Sequence, residues 1–108
     1  MNILGQLDRN GDGVHPKILR AMHLTDALCR QDRYGRSQAT FPHVMDGKHM
    51  RGSRHYVGLA FDLRIWHIPS NQLTNFTLEL QAELGEHFDV IFKRDHIHVE
   101  YDPKYSSL

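Results

Sequence analysis

The chain has one cysteine, no excess charge of either sign and no apolar run approaching membrane length. Each shortage closes off a class of function. A single thiol, Cys29, builds no disulfide framework within the chain and no thiolate metal cluster. Set in an apolar helical pattern, it reads as a buried, inert thiol. Apolar stretches fall well short of the ~20 residues a membrane helix needs, so no membrane anchor is expected. Thirteen Lys and Arg balance thirteen Asp and Glu, which leaves no general pull toward nucleic acid. Residues Met1 to Gly13 lack the basic-then-apolar build of a secretory signal. That predicts a protein made and folded in the cytoplasm, able to leave only by another route.

Histidine is what the chain has in excess. Nine imidazoles among 108 residues add weight to metal or proton chemistry. The length suits a single domain, residues 1–108, with 1–13 as a lead-in and 103–108 as a loose tail.

Apolar residues Ile18, Leu19, Met22, Leu24, Ala27 and Leu28 fall mostly at three- and four-residue spacings. They predict an amphipathic helix from Pro16 to about Gln31. Ser37 to Met45 holds a short strand made irregular by Pro42, and Asp46 to Arg54 reads as a loop. From Gly58 to Trp66 the chain alternates. Leu59, Phe61, Leu63 and Ile65 point one way; Gly58, Ala60, Asp62 and Arg64 point the other. Ser70 or Asn71 caps a second helix running to about His87, with Leu73, Phe76, Leu80 and Leu84 on one stripe. A hairpin closes the chain: Val90 and Phe92 on one arm, Ile97, Val99 and Tyr101 on the other, with the turn near Lys93 to Asp95. His96, His98 and Glu100 share the face opposite Ile97 and Val99. The sum is an α+β domain with a small antiparallel sheet and two main helices.

Two segments carry chemistry. They are Ser53-Arg54-His55-Tyr56-Val57-Gly58-Leu59-Ala60-Phe61-Asp62 and Asp95-His96-Ile97-His98. Together they hold three imidazoles and two carboxylates, enough for a set of two imidazoles and one carboxylate with a spare carboxylate three residues before the last histidine. An open catalytic zinc site uses such a set and leaves its fourth position to water. The spare carboxylate is then the natural base for that water. Small residues at Gly58 and Ala60 leave room beside the backbone for a metal and a peptide.

The pattern Ser-x-His-x2-Gly-x-Ala-x-Asp, followed late by carboxylate-x-x-His, resembles the zinc D,D-peptidases and the phage and bacterial L-alanyl-D-glutamate endopeptidases. Their fold is shared with the signalling domain of Hedgehog proteins. The resemblance extends over roughly Pro16 to Pro103 and implies His55, Asp62 and His98 as ligands of one zinc ion per chain. It also implies Asp95 as general base and a peptidoglycan stem peptide as substrate. A phage enzyme released through a membrane lesion or carried in a particle would suit such a chain, and so would a cytoplasmic dipeptidase. Members of the family often carry a Ser-Gly-Tyr-Arg-like segment whose arginine binds substrate. Here Ala39-Thr40-Phe41-Pro42-His43 stands in about that place without an arginine, so Arg36, Arg51 or Arg54 would have to substitute. Ser53 and Arg51 are the candidate substrate contacts. His49, His96 and Glu100 either line the cleft, orient a ligand or face water. His15, His23, His67 and His87 read as surface or satisfied core residues. The stretch Asp8 to Gly13 opens like an EF-hand calcium loop, but its twelfth position is Leu19, which excludes the bidentate glutamate. The rival to a peptidase is a zinc-stabilised structural or binding module of the same fold without turnover.

Overall fold

A computed structural model describes residues 1–4, 15–49 and 56–103, with the backbone alone for 46–49 and 56–58. Helix α1 (Pro16–Cys29) begins where the proline ring suits a first turn and His15 caps it, Nδ1 accepting from the Lys17 N–H at 3.1 Å. Its buried face is Ile18, Ala21, Met22, Thr25, Leu28 and Cys29. That face is rotated from the expected stripe, since Leu19 and Ala27 stand exposed. Thr25 can enter the core because its hydroxyl donates to the Ala21 carbonyl at 2.7 Å. Burial pushes the Cys29 thiol up to about 12, so it stays protonated and unreactive.

A 3-10 turn (Asp32–Tyr34) leads to Gly35 at φ +96°. A Cβ on Gly35 would run into the His67 carbonyl oxygen. Gly35→Ala should therefore cost about 2 kcal/mol or more, of which the left-handed backbone alone contributes ~1 kcal/mol. Chemical denaturation measures this; a loss near zero would mean that the turn does not pack on His67. The His67 ring itself has a buried Nε2 with no hydrogen-bond partner among the described residues. Burial holds this imidazole below its ordinary value. The unfolded chain then binds the more protons, so the contribution is complete above pH ~6.5 and is lost as pH falls toward the folded value. His67→Phe should flatten the fall in stability as pH drops below about 6.5. An unchanged slope would assign that fall to other groups.

Strands β2 (Thr40–Phe41) and β3 (His43–His49) are separated at Pro42, and β1 (Asn2–Ile3) pairs parallel with β2. Strands β4 (Tyr56–Arg64), β5 (Phe88–Phe92) and β6 (His96–Tyr101) join β3 in an antiparallel sheet of order β3-β4-β6-β5. Residues 46–49 belong to β3 rather than to a loop. They pair with β4 through Asp46↔Leu59, Lys48↔Val57 and His49↔Tyr56. Backbone pairing in a hairpin needs no apolar alternation, which is why the segment showed none.

Helix α2 (Leu73–Leu84) follows a 3-10 turn (Ser70–Gln72) and stops at Gly85, short of His87. Phe76, Leu80 and Leu84 are buried as their spacing predicts, with Leu73 packed against them. The Gln81 amide donates to the carbonyls of Gly85 and Phe88 at 3.1 and 2.7 Å and accepts from the Val90 N–H at 3.0 Å. This ties the end of α2 to the edge strand. The helices cover one face of the sheet, where Leu59, Phe61, Leu63, Ile97 and Val99 are buried. Edge-to-face ring pairs bind the layers, Phe41 on Phe61 at 5.2 Å and Tyr34 on Phe76 at 5.0 Å. The architecture is α+β, two helices on a small antiparallel sheet. Among the described residues no helix is long and apolar enough to cross a membrane.

Candidate metal centre

With Ile97 and Val99 turned into the core, strand alternation leaves His96, His98 and Glu100 on the uncovered face. The register aligns them with β4. Asp62 lies directly opposite His98 on one side and His43 on the other, and Arg64 lies opposite His96. His98 Nδ1 donates to Asp62 Oδ1 at 2.8 Å, and both side chains are half-buried. The other nitrogen of His98 stands 3.3 Å from Glu100 Oε1. His96 bridges outward, with Nε2 3.8 Å from Asp62 Oδ1 and Nδ1 2.6 Å from Asp95 Oδ1. Carboxylates and imidazoles thus alternate from Asp95 through His96, Asp62 and His98 to Glu100.

Asp95 sits at the hairpin mouth, its side chain largely in solvent. The hydrogen bond from His96 holds its carboxyl below the usual carboxylate range. A pocket of about 330 Å³ opens beside this row, walled by Pro42, His43, Asp62, Arg64, Trp66, Asp95 and His96. Trp66 is 76% exposed, and the Arg64 guanidinium lies 4.4 Å from its ring centre.

The structure brings Asp62 and His98 together as the sequence motif requires. Asp95 touches His96 and reaches the pocket that Asp62 lines. His55, Ser53 and Arg51 lie outside the described residues. Whether zinc fits here turns on the donor set. Two ligands of one tetrahedral ion at bond lengths near 2.0–2.1 Å stand ~3.3 Å apart. The 2.8 Å between Asp62 and His98 opens to that by a small side-chain rotation, and replacing their shared proton by a metal keeps the same lone pairs engaged. Those two donors fit. Among the described residues no cluster of three His, Cys, Asp or Glu side chains is close enough to hold a metal. The third donor must be brought in. Tyr56, next to His55 in the chain, pairs with His49 at the far end of β4. Six residues of extended strand place it ~20 Å from Asp62. Completing the shell from His55 therefore requires the first residues of β4 to fold back, and Gly58 is the residue best able to allow this. His96 is the nearest further imidazole among the described residues.

Comparison with protein-family models, with curated proteins and with solved structures found no match. The functional reading rests on these residues and their geometry. Sequence reasoning missed three of them. Alternation put Arg64 on the Asp62 face but gave it no role. His43 joins the row only through the β3–β4 register. Trp66, beyond the end of β4, carried no local signal except that it is the chain's one tryptophan.

Proposed function

We propose that the chain is a zinc-dependent peptidase with a Hedgehog/D,D-peptidase-like fold, hydrolysing a peptide bond in peptidoglycan stem peptides. The observation that carries this reading is the Asp62–His98 pair, half-buried on the open face of the sheet at 2.8 Å beside a solvent-open pocket. A carboxylate paired with an imidazole at the edge of a cleft, with a second carboxylate at the rim, supplies the residue types that metal-assisted hydrolysis uses.

Asp62 and His98 would hold the ion, one per chain, with His55 as the third ligand once the first residues of β4 fold back toward them. Bound there, zinc supplies Lewis-acid polarisation of the scissile carbonyl and activation of water near neutral pH. The chain's own residues do the rest. Asp95 accepts a proton from the attacking water and passes it to the departing amine. His96 fixes the Asp95 carboxylate from one side, and Glu100 fixes the His98 ring from the other.

Digestion of purified peptidoglycan with and without a chelator, followed by mass analysis of released peptides, tests the reading. Chelator-sensitive release with new amine ends is the expected result and identifies the bond. A protein that holds zinc yet releases nothing would be the zinc-stabilised module instead.

A further inference from the structure

We propose that Arg64, carried on the Trp66 ring, binds a free carboxylate on the α-carbon of the residue that follows the scissile bond. The proposal rests on the peptidase reading and adds to it the chemical group that selects the substrate.

The first support is the state of the arginine. Its guanidinium lies 4.4 Å from the Trp66 ring centre. No carboxylate reaches ion-pair distance of it among the described residues. Stacking occupies the face of a guanidinium and leaves its edge N–H groups free in the plane, the donors that a carboxylate takes two at a time. Trp66 meanwhile is 76% exposed, so its ring is open to a ligand held in the pocket.

Position is the second support. Arg64 follows Asp62 by two residues on the same face of β4 and lines the same pocket. Two residues of strand span ~6.6 Å. A peptide whose scissile carbonyl sits by Asp62 carries the next α-carbon ~3.8 Å or less beyond that residue's own, and its carboxylate a bond further. The long arginine side chain covers the difference.

Charge supplies the third. Asp62 and Asp95 line the same pocket, which disfavours a dianion such as phosphate and suits a singly charged carboxylate. The segment Ala39 to His43 provides no arginine upstream, so Arg64 is the cation the described pocket does provide.

Two peptides present that group: one ending in a free residue after the bond, and one continuing through a glutamate linked by its side chain. Trp66 is the chain's one tryptophan, so its emission reads the site directly. The zinc-loaded protein is mixed in a stopped-flow with D-alanyl-D-alanine or with L-alanyl-γ-D-glutamate, each with its α-carboxylate free or amidated. Emission is followed before turnover consumes the ligand. The free acid of at least one dipeptide should change Trp66 emission saturably, with the amide about tenfold weaker or worse. The tighter acid names the source. Arg64→Gln should erase the preference for acid over amide, and Arg64→Lys should keep part of it while circular dichroism stays unchanged. Equal affinity for acid and amide, no response to either, or an undiminished preference in Arg64→Gln would overturn the proposal. An acid preference in a protein that cleaves no peptide would leave the carboxylate site standing and remove the peptidase reading.

Discussion

His98→Ala should strip the protein of zinc and abolish peptide release while leaving the sheet in place. Structural zinc sites bind with apparent free energies of ~10–16 kcal/mol shared among four ligands, about 2.5–4 kcal/mol each, so losing one ligand costs roughly a hundredfold to a thousandfold in affinity. The fold should survive. Strand β6 is held by Ile97 and Val99, both fully buried, and by its pairing with β4 and β5. Metal content by elemental analysis and far-UV circular dichroism check the two halves of the expectation. Zinc retained at wild-type affinity would remove the C-terminal hairpin from the site. The parallel variants His55→Ala and His96→Ala then decide the third ligand. Loss in the first alone places the fold-back of β4 in the metal-bound protein. Loss in the second alone builds the shell from β4 and β6 without the preceding segment.

Asp95→Asn should lower turnover by roughly a hundredfold or more, the ordinary contribution of a general base, with zinc content unchanged. The substitution keeps size and removes only the proton acceptor. Because the side chain is largely in solvent, packing is not disturbed, so a drop in kcat with KM preserved reports the chemical step. The His96 hydrogen bond survives in weaker form, since an amide oxygen still accepts. Loss of zinc in this variant would make Asp95 a ligand. Unchanged cleavage would move the base, and Glu100, which faces the other side of His98 at 3.3 Å, is then the next candidate.

How far residues alone reach is clearest on β6. Alternation of Ile97 and Val99 with His96 and His98 is enough to place both imidazoles on one face, and the structure agrees. Alternation on β4 did the same for Asp62. That the two faces coincide, with Asp62 opposite His98, follows from register, a long-range property that no local pattern contains. The helix α1 stripe was legible only in outline. Thr25, polar and absent from the apolar stripe, is buried because the carbonyl one turn back satisfies its hydroxyl inside the core. The length of β3 was illegible for the opposite reason, because its outer half is fixed by backbone pairing rather than by side-chain type. Stacking of Arg64 on Trp66 depends on how the chain leaves β4, beyond the reach of strand periodicity.

Cys29 gives the protein a built-in clock for its own opening. It is the chain's single thiol, fully buried in the face of α1 that meets the core. An alkylating reagent can reach it only in molecules where α1 has come away, and each labelled molecule gains one mass increment. Where reclosing outpaces labelling, the reaction rate reports the population of the opened form; where reagent is in great excess, it reports the opening rate itself. Run with zinc present and then chelated, the same reaction would show how much of the domain's integrity is supplied from the opposite face of the sheet, with no dye or engineered probe added.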